Sequence, residues 1–156
     1  MELNGLPVHP LIVHLAVVLV PAAAVLAALY GTVPGWRWAL RWPTVWVSLG
    51  AVVSVAYAWV SGRDLLDRKP ELEPIIQPHQ ERADILFWCA IVFFVVVVLS
   101  AFWMGGPSGL VSGKGERRRR PPVIELSLAA MLVIFAIVLI TMTFATGEQG
   151  ARLVWG

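Results

Sequence analysis

The chain has 156 residues, of which 58% are hydrophobic and only 14% charged, and its mean hydropathy is +0.76. This composition is typical of an integral membrane protein and argues against an ordinary soluble domain. The net charge of +2 comes from basic residues that concentrate beside apolar segments, so it indicates membrane topology and not a nucleic-acid partner. The single cysteine, Cys89, excludes an intramolecular disulfide and a multi-cysteine metal site.

Four apolar segments approach or exceed the length of about 20 residues that a helix needs to cross a bilayer. A membrane barrel would instead need short segments of alternating polarity. The predicted fold is therefore an all-α bundle of four transmembrane helices, forming one integral membrane domain over residues 1–156. The predicted spans are residues 11–30, 44–61, 85–104 and 123–145. A cleaved signal peptide is not expected, because no basic segment precedes the first span.

The first span opens on LPVHPLIVHLAVVLVP, which holds two of the three histidines. Pro10 suits the first turn of a helix, where its missing N–H would have no partner. We therefore expect His9 at the helix cap and His14 about one turn inside the helix. Ionisable side chains at a membrane boundary are costly, so these two histidines indicate a functional site.

The second span carries a small residue at every fourth position. This spacing places the small side chains along one stripe of the helix, where a neighbouring helix can approach closely. A flat wall for a planar cofactor is the alternative, but close helix packing is the commoner use of small residues in membranes. The four residues are Gly50, Ser54, Ala58 and Gly62.

The connection between the second and third spans is polar and interrupted by three prolines, so it cannot form one continuous helix. We expect Pro78 to open the third helix, as Pro10 opens the first. His79 follows at once, and Glu81 and Asp84 fall in the first turns, where carboxylates suit the positive end of the helix dipole.

The third connection is rich in Gly, Ser and Pro, is predicted to be a flexible loop, and ends in four consecutive arginines, Arg117, Arg118, Arg119 and Arg120. The first and third connections together carry seven Lys and Arg residues, against five for the second connection and the C-terminal end. By the positive-inside rule both termini lie outside the cell membrane. The arginine run is also compatible with anionic lipid headgroups. Glu125 lies within reach of the arginine run and is interpreted as an ion-pair partner, not a proton carrier.

This topology brings six ionisable residues to one face of the membrane: His9, His14, His79, Glu148, Glu81 and Asp84. The first four are candidate ligands of a divalent metal or of haem b, and the last two are candidates to support them. Helix rise places His14 and His79 at levels about 13 Å apart, which suits bis-histidine haem poorly. His9 and His79 differ by only about 6 Å, so a metal site with a carboxylate is the better geometric case.

The alternative functions are those of a structural subunit, an enzyme and a transporter. The histidines would serve only as helix caps and bridges in a purely structural subunit. An enzyme is weakly supported, because the only candidate acid–base pair is His79 with Glu81 or Asp84. No comparable polar set lies near the predicted midplane, which argues against a transport path through the bundle.

Several motifs together resemble the bacterial family called domain of unknown function twenty-two thirty-one, whose members are predicted four-helix membrane proteins common in actinobacteria. These motifs are GLPVHPLIVHLAVVLVP, SGRDLLDR, the pattern H-x-E-x-x-D from His79 to Asp84, and the terminal TGEQGARLVWG. Relatives often read GHSGA where this chain reads GEQGA, so Glu148 replaces a histidine, and they often have proline where this chain has Ala16.

The resemblance implies architecture more than activity. Some relatives occur beside or fused to Rieske or cytochrome domains, which implies a respiratory or redox setting by association. We therefore expect an accessory membrane subunit in the inner membrane of a bacterium, surrounded by lipid and associated with a redox or respiratory complex. Its metal or haem site would face the outside and serve electron transfer, and the structural subunit is the alternative. The loss of one histidine weakens the haem interpretation, although a glutamate still suits a hard or borderline metal.

Overall fold

The computed structural model describes residues 2–3, 6–68, 70–104 and 122–155, and side chains for residues 12–68, 70–71, 73–104, 122–150 and 152. Four long helices make up almost all of it: α1 (Val8–Thr32), α2 (Arg37–Arg68), α3 (Glu73–Trp103) and α4 (Pro122–Trp155). A two-residue antiparallel pairing of β1 (Glu2–Leu3) with β2 (Leu6–Pro7) precedes α1. Short 3₁₀ turns at Pro34–Trp36 and Pro70–Leu72 separate α1 from α2 and α2 from α3.

All four helices are long and apolar enough to cross a membrane, which confirms the prediction of a four-helix membrane protein. The helices extend beyond the predicted apolar spans. The predicted start of α3 at Pro78 is wrong, because α3 begins at Glu73 and contains Pro78 in its second turn. A proline there removes only one intrahelical hydrogen bond, from its own nitrogen to the carbonyl of Pro74. Likewise α1 begins at Val8, so the backbone of His9 is already helical.

The helices form a closed ring in which α1 contacts α2 and α4, and α3 contacts α2 and α4. Short connections make α1 antiparallel to α2 and α2 antiparallel to α3, and the hydrogen bond from Arg82 near the start of α3 to the carbonyl of Ala145 near the end of α4 makes α3 and α4 antiparallel as well. The ends of α1 and α3 therefore lie at the same end of the bundle as the starts of α2 and α4. We call this the Arg37 end, and the opposite end, where α3 begins and α4 finishes, the His79 end. Gly31 fixes the register at the Arg37 end, since a Cβ there would lie 3.3 Å from the carbonyl oxygen of Ala129 on α4.

Buried positions on every helix repeat at alternating steps of four and three residues. This spacing of 3.5 residues is that of left-handed helical bundles, in which side chains of one helix fit between those of its neighbours. Alanines occupy much of the buried stripe of α1, which lets the neighbouring helices approach closely. The stripes comprise Ala16, Val20, Ala23, Ala27 and Tyr30 on α1; Thr44, Ser48, Ala51 and Val55 on α2; Leu86, Ala90, Phe93 and Val97 on α3; and Leu132, Ala136, Leu139, Thr143 and Thr146 on α4.

Candidate functional site at the His79 end

The buried stripe of α4 changes from apolar to polar towards the His79 end. Leu132, Ala136 and Leu139 are followed at the same spacing by Thr143 and Thr146. Both threonines are at least nine-tenths buried, with exposed fractions of 5% and 9%. The helical repeat therefore points their side chains into the bundle, where an apolar residue is the usual choice.

His79 faces this polar part of α4 from the second turn of α3. The imidazole is half-buried and lies beside the backbone carbonyl of Thr146. A Cβ placed on Gly150 would lie 3.3 Å from Cε1 and 3.8 Å from Nδ1 of the ring, so the absence of a side chain at Gly150 makes room for the imidazole. The ring is thus held between α3 and the last turns of α4.

Four enclosed polar atoms at this end have no hydrogen-bond partner among the described residues. They are Nδ1 of His79, Oγ1 of Thr143, Oγ1 of Thr146 and Oε1 of Gln149. Each such atom costs about 1–3 kcal/mol when it is removed from water without a replacement bond. Unsatisfied polar groups are rare in folded proteins, so these four atoms are available to water, an ion or a cofactor. Three others, in Arg41, Ser48 and Ser100, lie towards the Arg37 end.

Of the other two histidines, His14 has a described side chain and His9 does not. His14 is exposed and lies on the face of α1 opposite Ala16, so the helix does not direct it towards His79. The side chain of His9 lies outside the described residues.

The predicted carboxylates have partners of their own. Glu148 is exposed and forms an ion pair of 2.7 Å with Arg152, one turn further along α4. Glu81 accepts a hydrogen bond of 3.2 Å from the side chain of Gln77. Within the part of the chain that the structure describes, no group of three His, Cys, Asp or Glu side chains is arranged to hold a metal ion.

Asp84 takes part in an aromatic clamp between α2 and α3. Its Oδ1 accepts a hydrogen bond of 2.5 Å from Nε1 of Trp59 and lies 3.5 Å from Nη2 of Arg63. The guanidinium of Arg63 lies 3.9 Å from the centre of the Trp59 ring, and the other neighbour of that ring is Phe87, stacked at 5.0 Å. We name Trp59, Arg63, Asp84 and Phe87 the Trp59 clamp. The contact between Trp59 and Asp84 is not predictable from local sequence, because the two residues are 25 positions apart.

The remaining predicted residues lie elsewhere. The arginines Arg117 to Arg120 and the predicted loop that contains them lie outside the described residues. Glu125 does form an ion pair, at 3.2 Å, but with Arg37 at the start of α2. On the predicted small-residue stripe, a Cβ on Gly50 would lie 3.4 Å from Leu19 of α1 and Ser54 is buried, whereas Ala58 and Gly62 are partly buried.

One comparison with known proteins gave a match. The family model described as "Predicted membrane protein (DUF2231)" matches residues 5–156, which is nearly the whole chain. Neither the curated proteins nor the solved structures hold a match.

Proposed function

The chain belongs to the DUF2231 family of predicted membrane proteins, and from that premise we propose that it is a non-enzymatic accessory subunit that binds a metal ion or haem at His79. The single observation behind the proposal is the enclosed, unpartnered Nδ1 of His79. A neutral imidazole nitrogen is a common ligand of zinc, copper and iron, including haem iron. Its role would be electron transfer in a redox or respiratory complex of a bacterial inner membrane.

The surroundings of His79 favour a small site. Gly150 leaves no space for a further side chain against the ring, and Thr143, Thr146 and Gln149 supply neutral oxygen atoms at the same end of the bundle. His9 belongs to the first turn of α1, and α1 runs antiparallel to α4. Counting equal numbers of residues back from Gly31 and on from Ala129 brings the start of α1 level with the end of α4. We infer that His9 is the second protein ligand and that His14 and Glu148 are not ligands.

The proposed orientation places both termini, and therefore the His79 end, outside the cell. The excess of Lys and Arg in the first and third connections supports it. A cysteine-modification assay on single-cysteine variants tests it directly: a cysteine introduced at Gly35 should be protected from an impermeant reagent in intact cells, and one at Gln77 should react.

The metal site is tested by elemental analysis and by oxidised and dithionite-reduced visible spectra of the full chain, purified in mild detergent. We expect a bound metal or a Soret band in the wild type, its loss in His79→Ala and in His9→Ala, and its retention in His14→Ala, the matched control. Equal loss in all three variants would point to a folding defect, which circular dichroism would reveal. A wild type with neither metal nor haem would overturn the proposal.

A structural or assembly subunit is the second candidate, and the engaged carboxylates favour it. Glu148, Glu81 and Asp84 each have a polar partner within the protein, so none of the three is held ready for a metal. On this hypothesis the purified protein carries no metal, and His79→Ala changes only the free energy of unfolding. Recovery of partner proteins after cross-linking in the host membrane, equal for the wild type and His79→Ala, would support it.

A further inference from the structure

Arg41 differs from every other arginine that the structure describes. Five of the six described arginines donate to a carboxylate or a backbone carbonyl: Arg37, Arg63, Arg68, Arg82 and Arg152. The guanidinium of Arg41 has no hydrogen bond or ion pair with any described residue. Its Nε is enclosed by the protein and unpartnered, although the side chain as a whole is only partly buried.

The charge of Arg41 is not balanced within the described residues of its end of the bundle. The nearby carboxylate there, Glu125, is already bound by Arg37. At the same end, the hydroxyl of Tyr30 donates to the carbonyl of Ser100 and that of Thr44 to the carbonyl of Leu40. A half-buried guanidinium with no anionic partner is costly, so an anion is expected beside it.

The aromatic residues around Arg41 indicate where that anion comes from. The guanidinium lies 5.7 Å from the centre of the Trp42 ring. Trp38 lies three residues earlier, where helical neighbours on one face meet, and Trp46 continues the Trp38 and Trp42 stripe one turn further into α2. All three rings are exposed on the outside of the bundle. Tryptophan side chains collect at the boundary between lipid headgroups and acyl chains.

The position of Arg41 along α2 fits the same boundary. At 1.5 Å per residue, the 32 residues of α2 extend about 48 Å, well beyond the roughly 30 Å of the bilayer core. Arg41 is the fifth residue of α2, about 6 Å from its start. It therefore lies at headgroup level when the helix is centred in the membrane.

We propose that Arg41, flanked by Trp38 and Trp42, binds the phosphate of an anionic phospholipid, such as phosphatidylglycerol. The planar guanidinium presents two parallel N–H groups to phosphate oxygens, and the indole rings cover the adjoining glycerol and acyl carbons. A lipid with net negative charge is required, because the single excess positive charge of Arg41 needs a full counter-charge. The site is independent of the proposed site at His79 and lies at the opposite end of the bundle.

Native mass spectrometry of the full chain, released from detergent in the presence of either phosphatidylglycerol or phosphatidylcholine of the same chain length, tests this proposal. We expect wild-type protein to retain phosphatidylglycerol preferentially, and Arg41→Gln to weaken its apparent affinity about tenfold. Arg68→Gln is the matched control, because it removes the same charge from an exposed, paired side chain at the other end. Its affinity should equal that of the wild type.

Two further measurements separate the sources of the anion and the effects of charge from those of geometry. Inorganic phosphate at millimolar concentration should not displace the lipid, and displacement would overturn the lipid assignment in favour of a soluble anion. Arg41→Lys keeps the charge without the planar fork, so it should bind with intermediate affinity. Unchanged lipid retention in a folded Arg41→Gln protein would overturn the proposal outright.

Discussion

The guanidinium of Arg37 lies 3.2 Å from the carboxylate of Glu125 and joins the starts of α2 and α4. The same guanidinium donates to the carbonyls of Tyr30 and Gly31 at 3.2 and 3.3 Å. These carbonyls belong to the last turn of α1, whose oxygens have no donor within the helix. One side chain at the Arg37 end thus ties three helices together.

Removing either charge of this pair should destabilise the bundle strongly. The side chain of Arg37 is only 7% exposed, so Glu125→Gln leaves a buried charge without its counter-charge. We expect a loss of about 2–4 kcal/mol in the free energy of unfolding, measured by dodecyl sulfate titration in mixed micelles. Glu148→Gln breaks an exposed pair and should change the free energy by less than about 0.5 kcal/mol. Comparable losses in both variants would contradict the assigned role of Arg37.

Two glycines should respond to alanine in opposite directions. A Cβ on Gly31 would lie 3.3 Å from a backbone oxygen of α4, so Gly31→Ala must displace that backbone by a few tenths of an ångström. A Cβ on Gly147 meets nothing within 4 Å, and alanine is the better helix former. We expect Gly31→Ala to lower the free energy of unfolding by about 1–2 kcal/mol, and Gly147→Ala to raise it by up to about 1 kcal/mol. Equal effects would show that the contact between α1 and α4 is not tight.

The Trp59 clamp should depend on its hydrogen bond more than on its stacking. Trp59→Phe keeps an aromatic ring against Phe87 but leaves Asp84 without its shortest bond. We expect a loss of about 1–3 kcal/mol in the free energy of unfolding, because the bond involves a charged acceptor. Tyr57→Phe, on an exposed side chain of the same helix, is the control and should be neutral. A neutral Trp59→Phe would mean that water replaces the indole N–H without cost.

Gly150 should control the position of His79. An alanine there would bring its Cβ to 3.3 Å from the imidazole, so the ring must rotate or shift. If His79 ligates a metal or haem as proposed, Gly150→Ala should weaken the apparent affinity about tenfold, since ligand atoms tolerate displacements of only a few tenths of an ångström. Equilibrium titration of metal-stripped protein measures this effect. Gly147→Ala should leave the affinity unchanged. A loss of affinity in both variants would show that the effect does not arise from the contact between position 150 and His79.

The buried threonine hydroxyls should destabilise the protein when nothing is bound. Thr143→Val and Thr146→Val replace an unpartnered hydroxyl by a methyl of similar size. In metal-stripped protein each should raise the free energy of unfolding by about 1 kcal/mol. Thr141→Val is the control, because that exposed hydroxyl already donates to a carbonyl one turn back. Destabilisation by the two buried substitutions would indicate that ordered water already satisfies these hydroxyls.

The four helices were predictable because their apolar length alone distinguishes them from every soluble alternative. The residues at which the helices begin and end were less predictable. Proline favours the first turn of a helix and so predicts a helix start at Pro78, but the helix continues back to Glu73 across a single missing hydrogen bond. The first turns of α3 carry no hydropathy signal, because their sequence is polar and they project beyond the apolar span.

The candidate site was only partly predictable. His79 stood out as one of three histidines, and its neighbours on α3 are carboxylates, which made a metal site with carboxylates the natural hypothesis. Its actual neighbours on α4 are Thr146 and Gly150, which local sequence does not connect with it. The signal was present as a repeat: Thr143 and Thr146 continue the spacing of Leu132, Ala136 and Leu139. Extending that repeat along α4 would have placed two hydroxyls in the core.

The two ends of the bundle are held with unequal strength. Both ends enclose unpartnered polar atoms, in Arg41, Ser48 and Ser100 towards the Arg37 end and in four side chains at the His79 end. Among the described residues, however, the buried ion pair and the bonds to helix-end carbonyls that lock three helices together lie at the Arg37 end. Opening the His79 end would return its four unpartnered atoms to solvent without breaking such an ion pair. The free-energy cost of opening this end is therefore lower than that of opening the Arg37 end. Amide hydrogen exchange should accordingly be fastest in the last turns of α4 and slowest near the Arg37 end. Any ligand of His79 would suppress this local opening, because it binds only the closed form.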